Sequence, residues 1–332
     1  MRPAAIQTAA SPSGTLSYLP VSLFGSVMGL TGLAAAWRLA AGHWGAPAWI
    51  AEALGTLALG VFVAMLVAYS VKAIFSFEKV REEFMHPIAG SMFGTPLISM
   101  LLAPLLLADK SLALARIIWL AGAAGMTLLA WTMVTRWISA RQKQEHASPA
   151  WIVPVVGLID IPLAVPALGW EHEMHGLMVF GTAVGLFFAV PLFTMILSRL
   201  MFEEPLPPAM QPSLMILCAP FAVGFSAYVA TTGSVDGLAE ALYMVTLFVL
   251  AVLTGRLRQL GQCCPFRVSW WAVSFPLAAS AGAALKYAAF AQHPVADALA
   301  ALLLGLASLV IVALLGRTSL GILRRELRTL ST

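Results

Sequence analysis

The 332-residue chain is 60% hydrophobic and only 10% charged, and its formal net charge is +4. A soluble globular domain carries roughly 25% charged residues, so this composition excludes a chain that covers itself with a water-facing surface. The basic residues lie in loops between apolar runs, which favours contact with anionic lipid over nucleic-acid binding.

Ten apolar runs follow one another along the chain, and each is long enough to cross about 30 Å of hydrocarbon. Continuous runs of this length are typical of helices, since barrel strands alternate between polar and apolar residues. The sequence therefore predicts an all-α integral membrane protein with ten transmembrane helices. The runs cover 18–41, 46–74, 87–108, 112–140, 149–168, 173–199, 211–232, 236–258, 268–291 and 295–316.

Lysine and arginine are distributed unevenly between alternate sides of these runs. Most of the 19 basic residues fall on one side. By the positive-inside rule that side is cytoplasmic, and both termini lie on it. The other side holds only Arg38, Lys110, Arg116 and Lys286.

Interior prolines favour the odd-numbered runs, whose starts recur at roughly 60 residues. This spacing predicts five helical hairpins. A proline kinks a helix and leaves a carbonyl without its hydrogen bond, which a membrane helix tolerates best where protein or water can satisfy that carbonyl. We therefore expect an inner ring of five kinked helices around a central pore, surrounded by five straighter helices. The alternative is chance placement of prolines. The interior prolines of odd runs are Pro96, Pro154, Pro162, Pro220 and Pro276, against Pro191 in an even run.

Small and hydroxyl side chains also occur in the odd runs, where they would give a narrow lumen a mildly polar, uncharged lining. A serine or threonine can instead bond to its own helix, which is the usual state of any single one. The candidates for lining the pore are Ser26, Gly94, Thr95, Pro96, Pro162, Pro220 and Ser274.

Two charged residues fall inside or near the membrane. Asp160 is the only acidic residue deep within a run, so it is either a protonatable coupling site or a hydrogen-bonded anchor between helices. Lys286 lies near the outer end of the ninth run, where it either attracts anions or extends its ammonium to the interface.

No catalytic or nucleotide-binding motif occurs in a suitable context, so we expect no enzyme activity. A dense titratable cluster runs from Glu171 to His175, but ligands so close in sequence need further partners to hold a metal. We interpret it as a solvated loop and expect no metal site.

The segments YLPVSLFGSVMGL, FEKVREEFMHPI, PSLMILCAPFAVGFSAYV and SWWAVSFPLAASAGAAL resemble the tellurite-resistance/dicarboxylate transporter family. That family includes bacterial TehA proteins, fungal malate transporters and plant slow-type anion channels. The resemblance implies five hairpins around a central pore, often as a homotrimer without a cofactor, in the inner membrane of a bacterium. It also implies that Phe275, next to Pro276, closes the pore. Asp160 departs from the neutral residues of the family at this level.

Two functions remain open at this point. The first is a gated channel for small inorganic or carboxylate anions, and the second is a proton-coupled carrier for C4-dicarboxylates or related weak acids that uses Asp160. A membrane-embedded structural protein is a remote third. We divide the chain into an N-terminal cytoplasmic tail (1–17), which lacks the order of a removed signal peptide, a ten-helix domain (18–320) and a basic cytoplasmic tail (321–332).

Overall fold

The computed structural model describes residues 16–331, without the side chains of 256–263. Within that range the chain forms helices and turns and no strand. Ten helices are long and apolar enough to cross a membrane, which confirms the predicted all-α, ten-span architecture. They are α1 (Val21–Trp44), α2 (Ala48–Phe75), α3 (Ala89–Leu107), α4 (Leu112–Ser139), α5 (Pro149–Leu168), α6 (His175–Phe202), α7 (Pro208–Thr232), α8 (Gly237–Gly255), α9 (Val268–Ala291) and α10 (Pro294–Leu323).

Burial divides the ten helices into two sets. In the odd-numbered helices, 61% to 83% of the residues in the apolar window are buried within the protein, whereas in the even-numbered helices the share is 28% to 33%. Large apolar side chains such as Trp131, Phe187 and Leu309 are exposed on the even helices. With no water in the bilayer core, such a surface matches lipid. The odd helices therefore form the predicted inner set.

The inner helices contact one another as a closed ring, because α1 packs on α3, α3 on α5, α5 on α7, α7 on α9, and α9 on α1. Glycines permit the closest of these approaches. A Cβ at Gly29 of α1 would overlap the side chain of Ser274 in α9, and one at Gly94 of α3 would lie 2.7 Å from Val153 in α5. Small residues thus set the spacing of the ring.

Every inner helix contains a 3₁₀ segment, and among the described residues no outer helix does. In α3, α7 and α9, a proline follows the segment within three residues, at Pro96, Pro220 and Pro276. A proline has no N–H to bond the carbonyl four residues earlier, so the preceding turn loses part of its α-helical pattern. The inner ring is therefore locally irregular, as the proline pattern predicted.

The helix ends follow ordinary sequence rules. The helices α1, α5 and α7 end at Gly45, Gly169 and Gly233, each with a positive φ that glycine adopts without steric cost. A short helix, Phe77–Met85, connects α2 to α3. At the C-terminus α10 continues to Leu323, slightly beyond the predicted domain boundary, and a short helix, Leu327–Ser331, follows. Most of the predicted N-terminal tail, residues 1–15, lies outside the described residues.

Candidate functional site

A narrow cavity of about 60 Å³ lies within the inner ring. Its lining draws on all five inner helices, mostly on their first halves, with one representative of each in Met28, Thr95, Val153, Ile216 and Phe275. Because the first halves meet here, all five inner helices run in the same direction. We call this the proximal cavity, and the end of the ring where the odd helices begin the proximal end.

A second cavity of about 380 Å³ is lined by the later parts of the same five helices. We call it the distal cavity, at the end of the ring where the odd helices finish. Representative lining residues are Gly32, Leu105, Leu163, Ser226 and Lys286. Its walls are mostly apolar, which keeps the local dielectric low.

Phe275 and Val223 line both cavities, so they lie between them. The phenyl ring is 93% buried, and no other aromatic ring contacts it in the part of the chain that the structure describes. The two cavities thus lie one after the other along the inner ring, with Phe275 and Val223 at the level where they meet.

The local backbone accounts for the position of this ring. The 3₁₀ segment Val268–Val273 ends just before Ser274, whose hydroxyl donates to the carbonyls of Trp271 (2.7 Å) and Gly25 (3.2 Å). Pro276 has no N–H for the carbonyl of Ala272, and residues before a proline are biased away from regular α geometry. The bond to Gly25 fixes α9 against α1 one residue before Phe275.

Asp160 faces the proximal cavity from the 3₁₀ segment Gly157–Ala164 of α5. Its side chain is almost completely buried, and Oδ1 has no hydrogen-bond partner among the described residues. Among the described residues, no hydrogen bond from this oxygen anchors α5 to a neighbouring helix, and both interpretations of Asp160 stay predictions.

Two basic side chains face the distal cavity, Lys286 of α9 and Arg38 of α1. The Arg38 guanidinium donates through Nη1 to the carbonyl of Leu105 (2.7 Å) and pairs with Asp109 (3.0 Å). Lys286 forms no ion pair or hydrogen bond within residues 16–331. In particular it does not pair with Asp160, which lines the other cavity.

A family model described as "Voltage-dependent anion channel" matches residues 18–319 of the chain. The chain belongs to this SLAC1 family. The match covers α1 to α9 and all but the last four residues of α10, and it confirms the resemblance that the sequence segments indicated.

Curated relatives of this SLAC1-family chain come from plants and bacteria. The S-type anion channel SLAH3 of Arabidopsis thaliana is 28% identical over 309 residues, which are 90% of this chain and 48% of the relative. The guard cell S-type anion channel SLAC1 of the same plant is 27% identical over 284 residues (81% and 50%). The tellurite resistance protein TehA homolog of Haemophilus influenzae is 28% identical over 275 residues (81% of both).

The chain spans about half the length of SLAH3 and of the guard cell channel SLAC1. The similarity to these channels therefore concerns the membrane domain. The names of these relatives describe channels and a resistance protein, not enzymes.

The structure separates the predicted pore-lining residues into two groups. Thr95 and Pro220 line the proximal cavity, together with Phe275 and Pro276. The other candidates lie outside both linings; Ser26, for example, donates to the carbonyl of Leu23 in its own helix (2.8 Å). These residues are Ser26, Gly94, Pro96, Pro162 and Ser274.

The sequence analysis missed Val223 and the cavity-facing position of Arg38. Helical spacing could have indicated that both residues face a cavity, because residues three or four apart share a helix face. Val223 follows Pro220 by three residues, and Arg38 follows Ala35, which also lines the distal cavity, by three. The cluster around His172 lies in the exposed loop between α5 and α6.

Proposed function

We propose that this protein carries small anions across a membrane along the axis of the inner ring, with Phe275 closing the path. The observation that carries the proposal is that Phe275 lines both axial cavities. Membership of a family of anion channels supports the class of solute. Since the ring lies between the two cavities, it has to move, or be removed, before an ion passes along this axis.

The test is anion conductance of the purified protein in lipid bilayers. Phe275→Ala should fold normally and conduct strongly, with weak discrimination among monovalent anions, and Phe275→Leu should conduct less because leucine still fills much of the path. Phe221→Ala is the matched control, since Phe221 is a half-buried ring of α7 that contacts Phe193 edge-on and lines neither cavity. A stable Phe275→Ala protein that conducts no better than the parent would show that this ring is ordinary packing.

A proton-coupled carrier of dicarboxylates or related weak acids is the second candidate. The observation that favours it is the unpartnered Asp160 carboxyl group beside the gate. A titratable group inside a membrane path is a typical proton relay. The reversal potential under an imposed proton gradient distinguishes the two, because a channel follows the anion gradient alone whereas a coupled carrier also shifts with pH.

We further propose that the protein is a homotrimer in the inner membrane of a bacterium, with both termini in the cytoplasm, so that the proximal end faces inward. The apolar surfaces of the even helices suit contact with lipid and with neighbouring subunits. Light scattering of the purified protein, corrected for bound detergent, measures the subunit number. A monomeric mass in mild detergent and in lipid nanodiscs would contradict the trimer.

A further inference from the structure

The distal cavity holds an unpaired cation, Lys286, on one side of Phe275. Lys286 and Phe275 lie on the same helix and line the same cavity. The ammonium forms no ion pair or hydrogen bond with the described part of the chain, although its surroundings are mostly apolar. An ammonium group that leaves bulk water without a partner is unfavourable, and a bound anion relieves that cost.

The remaining charges of the distal cavity have the same sign. Arg38 also lines it, while no acidic residue of the described part of the chain does. Asp109, the partner of Arg38, has a side chain that is 73% exposed and lies outside the lining. A low-dielectric cleft with one sign of charge concentrates counter-ions.

The two sides of Phe275 differ in size as well as in charge. The distal cavity of about 380 Å³ has room for a small anion and several waters, since one water occupies about 30 Å³ of liquid. The proximal cavity of about 60 Å³ has room for roughly two waters, and its ionisable side chain is the Asp160 carboxyl group. A resting anion is therefore favoured on one side of the gate only.

We propose that the distal cavity is an anion-loading site, in which the Lys286 ammonium holds one small anion on the distal side of the closed Phe275 gate. Anions then enter the open path more readily from the distal side than from the proximal side. The directional part rests on the proposed anion transport, whereas the binding part does not require that the protein conduct.

Binding is tested on the parent protein, with Phe275 in place. The melting temperature of the protein in detergent is measured while chloride replaces gluconate at constant ionic strength. A ligand that binds only the folded state raises the melting temperature. The rise should occur in the parent and in Lys286→Arg and be lost in Lys286→Met. Lys110→Met removes an exposed cation of the same end that lines neither cavity, and it should behave as the parent.

Location is tested with crystals soaked in bromide, which should show anomalous density between Lys286 and Phe275 in the parent but not in Lys286→Met. A lipid phosphate at Lys286 that bromide does not displace would overturn the free-anion site. An equal chloride effect in the parent and in Lys286→Met would overturn it too.

Direction is tested in the Phe275→Ala background, with protein added from one side to orient its insertion. Anion current from the distal side should exceed the reverse current. Adding Lys286→Met should make the two equal and raise the half-saturating chloride concentration by about tenfold. If Phe275→Ala conducts and Lys286→Met changes neither the current asymmetry nor the half-saturating chloride concentration, the proposed loading site is wrong. If Phe275→Ala does not conduct, the transport proposal fails while the binding result stands.

Discussion

Gly32 of α1 lies against the ring of Phe275. A methyl group at Gly32 would lie 3.5 Å from Cδ2 and 3.8 Å from Cε2 of the ring, and 3.0 Å from Cβ of Ala278. Gly32 also lines the distal cavity. The absence of a side chain on α1 thus leaves space for the ring of Phe275, and a larger residue at position 32 would reach the same level of the inner ring.

We predict that Gly32→Val partly restores closure when it is combined with Phe275→Ala. The valine side chain enters the space that the ring has left, so the anion conductance of the double variant should be well below that of Phe275→Ala alone. Gly282→Val is the control, because Gly282 lines the wider distal cavity and no atom lies within 4 Å of its added Cβ. Equal conductance of Phe275→Ala with and without Gly32→Val would contradict the placement of the gate.

A buried ion pair fixes the proximal end of the ring. Lys72 of α2 pairs with Glu83 of the short helix Phe77–Met85 at 2.6 Å, and their side chains are 4% and 13% exposed. Lys72 also donates to the carbonyl of Leu19 (2.6 Å), while Glu83 accepts from the N–H of Val21 (2.7 Å). The pair therefore links two peripheral elements to the start of α1.

We predict that Glu83→Gln destabilises the protein by about 3 to 5 kcal/mol, because it leaves a buried ammonium without its countercharge. Glu82→Gln breaks an exposed pair with Lys79 on the same helix and should cost no more than about 1 kcal/mol. Reversible unfolding in detergent measures both. The double variant Lys72→Met, Glu83→Gln should recover most of the loss, and equal costs for Glu83→Gln and Glu82→Gln would contradict this account.

We predict that Asp160→Asn keeps the fold and leaves the passive anion conductance of Phe275→Ala largely unchanged. The amide has nearly the same shape as the carboxyl group but carries no charge. Uptake driven by a proton gradient, if the parent shows it, should disappear in the same variant. The measurement is anion flux into proteoliposomes with and without an imposed pH gradient. Proton-driven flux that survives Asp160→Asn would remove the coupling role of this residue.

We predict that the loop at Lys143 faces the cytoplasm and that the loop at His172 faces outward. Both side chains are exposed, so a cysteine at either position is accessible to reagents. The prediction rests on the unequal distribution of basic residues. Intact cells with a cysteine-free background are treated with an impermeant thiol reagent, which should modify position 172 and not 143. The reverse pattern would invert the topology.

The sequence predicted the inner set of helices well, since prolines and small residues concentrate in the odd runs and burial follows the same division. It predicted the lining of the path less well. Ser26 and Ser274 belong to the correct helices but bond to the carbonyls of Leu23 and Trp271, because a hydroxyl inside a helix competes for nearby backbone acceptors. Which face of an irregular helix meets the lumen depends on its local 3₁₀ turns.

The amino-acid sequence by itself determined that the chain crosses a membrane ten times and which helices lie inside, because hydropathy, charge distribution and proline are properties of single segments. Only the tertiary structure decided that Phe275 lies between two cavities, with Asp160 on one side and Lys286 on the other. Those residues come from α9 and α5, and their relative positions depend on how each of the five irregular helices is rotated about its own axis within the ring. Packing against the neighbouring helices sets that rotation, so no local sequence pattern specifies it.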